Sequence, residues 1–302
     1  MDFGKLQDIS NVDFTLPPDN PLTTKTLDFS PKVSKPALYF GPPIWANKDW
    51  IGKIYPTNIK EKDFLPYFTQ QFNTIELNVT HYQIPTPETI QRWKDAAVDG
   101  FKFCPKFPQV ISHDRQLLGC EFLTNQFCQA VLGLEDHLGM TFLQLSPMFE
   151  PKKLKILENY LKSLPPNFPV SVEFRHPDWF KDEKVWTKTC EMLVEMKVGT
   201  VISDVSGRRD VVHSTLTTPN LTLRFVGNEL HTTDYFRIND WCNRLVKWLD
   251  EGLESAYIFV HCGENMFAPE LTKYWINRLN SMTNLAIKEP KIIQQVVQGS
   301  LF

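Results

Sequence analysis

From about residue 36 to about 281 the chain repeats one pattern. A short run of β-branched or aromatic residues is followed by a polar turn, then by a longer segment whose apolar positions recur at helical spacing. Strands are predicted at 37–41, 73–79, 101–106 and 141–146, in the run opening at Val170, and at 200–204, 221–226 and 256–261. The first helix runs from Ile59 to Phe72, with Phe64, Leu65, Phe68 and Phe72 on one face. Later helices pass through Ile90 and Trp93, from Phe122 to His137, through Leu154, Leu157 and Leu161, through Trp186 and Leu193, through Trp241, Leu245 and Trp248, and through Leu271, Trp275 and Leu279. The link from Val205 to Asn220, between the sixth and seventh strands, is short and rich in Thr, Arg and Gly, so its helix is predicted to be irregular or missing. Eight strands alternating with helices predict a single-domain α/β fold, a (β/α)8 TIM barrel, rather than an open doubly wound sheet. No GxGxxG or Walker loop follows the first strand, which argues against a nucleotide-binding alternative.

The period-2 phase of each strand carries the functional reading. In Val170-Ser-Val-Glu173-Phe-Arg175-His176-Pro177 the two charges share one phase, and no core accepts them without partners. The same phasing puts Glu76 and Asn78 on one face of the second strand, Lys106 on the third and Gln144 on the fourth. It adds Asp204 on the sixth, Arg224 on the seventh and His261 on the eighth, while the opposite faces are apolar. Most of these residues lie in the C-terminal halves of their strands, where barrel enzymes place their sites. Three carboxylates (Glu76, Glu173, Asp204) are thus expected to face three cations (Lys106, Arg175, Arg224), in a mouth flanked by loops with Trp45, Trp50, Tyr82, His113, His176 and Trp179. A closed ion-pair network without a ligand is the competing structural reading.

Composition narrows the field. The 302 residues are 42% hydrophobic and 22% charged, enough for a large core, and the net charge of −3 disfavours a nucleic-acid partner without excluding a local basic patch. No apolar run is long enough to cross a membrane, and the acidic start lacks the pattern of a secretory signal, so the expected address is cytoplasmic. The six cysteines show no CxxC or metal-finger spacing and are expected to be reduced structural thiols. Residues 1–35, with Pro17, Pro18, Pro21 and Pro31, form an N-terminal extension, either disordered or draped over the body. The barrel domain is assigned to 36–281 and a C-terminal tail to 282–302.

Three functions fit these residues. The first is a metal-independent hydrolase or lyase, without a cofactor, acting on an anionic or polyhydroxylated substrate. Lys106, Arg175 and Arg224 would hold the substrate, Glu76 or Glu173 would transfer protons, and Lys106 would be a reactive amine if its pKa were depressed. Trp45, Asn78, Tyr82, His113, Gln144, His176, Asp204 and His261 would complete the binding surface. The second is a divalent-metal isomerase or endonuclease-like barrel using Glu76, Glu173, Asp204 and His261, weakened by the adjacent cations. The third is a non-catalytic ligand or nucleic-acid binding module, with Lys106, Arg175, Arg224 and the Arg208–Arg209 pair on phosphates and Trp45 and Trp50 stacking on bases. Nothing in the sequence sets an oligomeric state.

Several motifs in order also resemble the YecE-like family, a domain of unknown function. They are Gly41-Pro-Pro-Ile-Trp45, Lys48-Asp-Trp-Ile-Gly52 with Tyr55-Pro56, Phe72-Asn-Thr-Ile-Glu-Leu-Asn78 with Tyr82, and Gly100-Phe-Lys-Phe with Lys106. Ile111-Ser-His113, Leu143-Gln-Leu-Ser-Pro147 and Val172-Glu-Phe-Arg-His-Pro-Asp-Trp179 follow. The resemblance spans about Tyr39 to Pro269 and implies a TIM barrel with a shared polar pocket but no activity. The chain departs from the family pattern at the eighth strand, where Val260-His-Cys-Gly-Glu-Asn265 stands in place of an aromatic-Asn-Asn segment.

Overall fold

Each predicted strand is extended in the computed structural model, which describes residues 3–30, 33 and 35–293. The strands are β1 (Ala37–Gly41), β2 (Thr74–Leu77), β3 (Lys102–Pro105), β4 (Thr141–Gln144), β5 (Val170–Glu173), β6 (Gly199–Asp204), β7 (Asn220–Gly227) and β8 (Ser255–Cys262). Four of them, β2 to β5, are shorter at their C-terminal ends than the periodicity predicts, because residues such as Asn78, Lys106 and Ser146 already belong to the loops that leave them, while β7 and β8 run one residue further. Every ladder is parallel. Six strands form a central sheet in the order β1-β8-β7-β6-β5-β4, and β2 pairs with β3 in a second sheet.

Two seams lie between the sheets. At the first, Asn73 replaces a ladder with its side chain: its Oδ1 accepts from Phe40 N (2.7 Å) and its Nδ2 donates to Leu38 O (2.8 Å). Gly41 lets the strands come this close, since a Cβ there would lie 1.8 Å from Thr74 O. At the second seam, isolated parallel bridges join Phe103 to Leu138 and Lys106 to Phe142.

The helices are α1 (Pro21–Asp28), α2 (Phe64–Gln71), α3 (Val79–Tyr82), α4 (Pro87–Ala96), α5 (Glu121–Leu132), α6 (Leu154–Lys162), α7 (Asp178–Lys181), α8 (Glu183–Glu195), α9 (Thr232–Glu251) and α10 (Ala268–Met282). Their ends carry ordinary signals. Thr86 caps α4 ahead of Pro87 at its first position, and α9 stops at Gly252, whose φ of 125° is open only to glycine. Between β6 and β7 the chain makes only a 3-10 turn at Arg209–Val211, as the composition of that link predicts. Among the described residues no helix is long and apolar enough to cross a membrane.

The short strands are buried on both faces. Their outer faces meet the helices: β7 and β8 pack on α9 and α10 around Trp241, Trp248 and Trp275, β4 and β5 pack on α5, α6 and α8, and β2 and β3 pack on α2 and α4 with Trp50 and Tyr55. Between the strands, the N-terminal end is closed by Cys104, Tyr257 and Phe259 with Tyr39 and Met140, the Tyr39 and Tyr257 rings stacking at 4.7 Å. The polar phase therefore collects at the opposite end.

Residues 3–30 lie against this body. Leu27 is fully buried beside α9, Thr23 Oγ1 donates to Ser214 O and accepts from Leu216 N (both 2.9 Å), and Asp19 pairs with Arg244 at 2.6 Å. After α10 the chain returns to the body, where Ile293 N donates to Lys53 O at 2.7 Å. The rest of the expected tail, 294–302, lies outside the described residues.

Candidate active site

Arg224, near the middle of β7, is the hub of the polar end. Its Nε and Nη2 donate to the two carboxylate oxygens of Glu76 on β2 (both 2.8 Å), and its Nη1 donates to Glu173 on β5 (3.1 and 3.3 Å). Glu76 also takes Asn78 Nδ2 (2.8 Å) and faces His261 Nε2 (3.0 Å). Glu173 takes Gln144 Nε2 (2.9 Å) and Ser203 Oγ (2.6 Å). Six of the predicted residues, from strands spread across both sheets, thus meet in one hydrogen-bonded cluster, with Arg175 and Lys106 at its side.

Burial alone would raise the pKa of both carboxyls, but the groups facing them outweigh it. Arg224 and His261 hold Glu76 well below the ordinary carboxylate range, and Arg175 and Arg224 hold Glu173 at about 2. Both stay ionised at neutral pH and are poorly suited to the acid–base role considered for them. For His261, burial outweighs Glu76 and pushes the pKa down, so the ring is neutral near pH 7.

Two cations are left with capacity to spare. Arg175 is 5% exposed. Its Nη2 lies 2.8 Å from Glu173 Oε1 but without hydrogen-bond geometry, so Nε and Nη2 both lack a hydrogen-bond acceptor among the described residues. Lys106 is 8% exposed, and among the described residues its Nζ makes no hydrogen bond or ion pair, only an approach of 6.0 Å to the Phe142 ring. Burial first, then repulsion from Arg224, bring its pKa down to about 8.

Asp204 does not join this cluster, contrary to its predicted phase. Its Oδ1 takes Arg237 Nη2 (2.8 Å) and Arg209 Nη1, and its Oδ2 takes Trp241 Nε1 (2.7 Å) and Arg237 Nε (3.3 Å), so it faces α9. Ser203 holds the inward position. β6 carries polar residues on both phases, Thr200 and Asp204 on one and Ser203 on the other, so its alternation does not fix a phase, and the charge drew the assignment to the wrong residue. The inward hydroxyls of Ser171 and Thr222, 3.0 Å apart, were also missed, although the same alternation that finds Glu173 points to Ser171.

The rim differs more. Trp50 and Trp179 are fully buried, donating to Asn265 O (3.0 Å) and Phe149 O (2.7 Å), and neither can stack on a ligand. Trp45 is half-buried against Trp93, and Tyr82 is 79% exposed. His113 and His81 sit edge to face at 5.3 Å near Lys106, and burial and the lysine charge lower the pKa of both. His176 Nδ1 accepts from Asp178 N (3.2 Å), capping the turn into α7. Arg208 is held by both oxygens of Asp210 and Arg209 by Asp204, so neither offers a free phosphate contact.

The family model described as "Protein of unknown function DUF72" matches residues 39–294. The UPF0759 protein YecE of Escherichia coli strain K12 is 31% identical over 252 residues, covering 78% of this chain and 89% of that protein. The UPF0759 protein YunF of Bacillus subtilis strain 168 is 24% identical over 150 residues, covering 47% of this chain and 52% of that protein. Among solved structures, a DUF72 family protein from Enterococcus faecalis V583 superposes with a TM-score of 0.66 at 19% identity, covering 80% of this chain and 95% of its own. One from Thermotoga maritima MSB8 gives 0.62 at 22%, covering 82% and 98%.

Proposed function

This chain belongs to the DUF72 family, described as of unknown function, and on that premise we propose that it is a metal-independent lyase acting on a small anionic carbonyl compound, with Lys106 as the reacting amine. The observation that carries the reading is the charge imbalance left once Asp204 is turned away. Among the described residues, two buried carboxylates, Glu76 and Glu173, face three cations, and the surplus sits on Lys106 and Arg175, the two with donors that no described acceptor takes. A bound anion completes that balance, and the Nε of the Arg175 guanidinium, which has no acceptor among the described residues, can donate to a carboxylate or phosphate.

The amine has the right reactivity. At a pKa of about 8, about a tenth of Lys106 is neutral at pH 7, against roughly three in ten thousand for an ordinary lysine. Its attack on a substrate carbonyl forms the C–N bond, the carbonyl oxygen leaves as water, and the protonated imine accepts the electron pair of an adjacent breaking bond. The metal reading is disfavoured by the same geometry: Asp204 is engaged elsewhere, and Arg224 stands between Glu76 and Glu173. The hydrolase reading would need Glu76 or Glu173 to move a proton, which their depressed pKa values oppose.

The architecture that supports this reading is a closed eight-stranded barrel over residues 36–281, flanked by the extension 1–35 and the tail 282–302. The Asn73 seam and the Lys106–Phe142 bridge are the contacts that support closure. All six cysteines are buried and unpaired, which fits a reducing, cytoplasmic setting.

Borohydride trapping after incubation with glyoxylate or pyruvate, on protein dialysed against a chelator, tests the proposal. A reduced adduct on Lys106 is expected, and Arg175→Lys, which keeps the charge but loses the fork, should weaken the anion dependence of trapping about tenfold. Phosphate binding without any Lys106 adduct would favour a non-catalytic anion-binding module instead.

A further inference from the structure

The most exposed part of the N-terminal extension runs over the mouth of this site. The Phe3 ring lies on the Arg175 guanidinium, 3.6 Å from its carbon to the ring centroid, with the Arg208 guanidinium 5.2 Å from the same ring. The next carbonyl, Gly4 O, accepts from Gly207 N (2.7 Å) and Ser206 Oγ (3.3 Å) in the loop after β6. Gly4 has φ +68°, and a Cβ there would lie 2.5 Å from Val205 Cγ2, so only glycine lets the chain pass this close. Beyond it, Lys5, Leu6, Gln7 and Ile9 wall one side of a cavity of about 770 Å³ whose other side includes His261, the partner of Glu76.

The attachment is uneven along the extension. From Phe14 onward it is bolted down: the Phe14 ring covers Arg209 and Arg237, Asp19 pairs with Arg244, and α1 buries Leu27. Residues 5–8 are exposed, and among the described residues the contacts that tie 3–8 to the body are chiefly the Phe3 ring and Gly4 O. It lies outside residues 39–294, the segment matched by the family model.

We propose that residues 3–9 are an autoinhibitory strap hinged near Phe14, in which Phe3 blocks the Arg175 face of the anion site and must lift away before an anionic ligand can enter. The proposal rests on the anion-site reading above. A ligand that binds only the open form meets an apparent dissociation constant raised by the reciprocal of the open fraction, so weakening the strap tightens binding without adding a contact.

Two variants of the full chain release the strap by different routes. Phe3→Ala removes the ring from Arg175, and Gly4→Val cannot take the close pass over Val205. Each is compared with the wild type by calorimetric titration with inorganic phosphate. Each is also compared by the rate at which formaldehyde and cyanoborohydride methylate Lys106, read by peptide mass spectrometry. The strap predicts about tenfold tighter phosphate binding and a correspondingly faster methylation in both variants. Equal affinities and equal rates in all three proteins would overturn it while leaving the anion site standing. Faster methylation with no phosphate binding by any of them would uphold the strap and overturn the anion site.

Discussion

Two clusters of buried charge lie on opposite faces of neighbouring strands, and they differ in whether their hydrogen-bonding capacity is used up. Around Asp204 both carboxylate oxygens are taken by Arg237, Arg209 and Trp241, and Arg237 goes on to Val226 O and Asp234. Around Arg224 the carboxylates are satisfied as fully, but among the described residues Arg175 Nε has no acceptor and Lys106 Nζ has neither a hydrogen bond nor an ion pair, at a buried position that lowers its pKa to about 8. A closed set of ion pairs stabilises and orients; an unclosed one destabilises the fold until something binds. Buried charge alone marks neither structure nor site, and the donors left over make the distinction.

The largest effect should come from the closed cluster. Asp204→Asn keeps the shape but leaves Arg237 with only the longer pairing to Asp234 (3.3 Å), and urea unfolding should show a loss of about 3–5 kcal/mol. A variant as stable as the wild type would remove the contrast. The open cluster should answer with the opposite sign. Lys106→Met keeps the aliphatic stem and removes a charge the fold disfavours, so stability at pH 7 should rise by about 2–3 kcal/mol. The folded pKa of about 8 lies below the unfolded value. The wild-type penalty is therefore complete below pH 8 and fades as pH climbs towards about 10.5, where the unfolded lysine also loses its proton. The advantage of the methionine variant should fade over the same window; an advantage that persists above it would point to packing instead. The smallest effect tests the inward face of β6. Ser203→Ala removes one bond to a carboxylate that retains Gln144 and Arg224, and should cost about 1 kcal/mol. No change in unfolding would mean that the hydroxyl is replaceable by water.

Where strands alternate cleanly, the phase could be read from the sequence. Glu76, Glu173, Arg224 and His261 were found because each stands two residues from another inward position on a strand with an apolar opposite face. Asp204 was misplaced because β6 has polar residues on both phases, Thr200 and Asp204 against Ser203, and its alternation is blurred. The loop tryptophans Trp50 and Trp179 were read as rim residues because a loop has no period, and only tertiary packing decides which way its side chains turn. Phe3 carried no signal at all: one aromatic ring in a polar segment acquires meaning only when Arg175 is found beneath it.

The burial of Leu27 in the apolar cluster that also holds Trp248 and Leu253 bears on handling. A fragment trimmed to residues 39–294 would cut two residues from β1 and lose α1, leaving an uncovered apolar strip along α9 and unpaired hydrogen-bonding groups at Ser214 and Leu216. Such a strip favours self-association, so the fragment that looks minimal by family resemblance should be the less soluble one, and the extension doubles as a solubility element for the body it crosses.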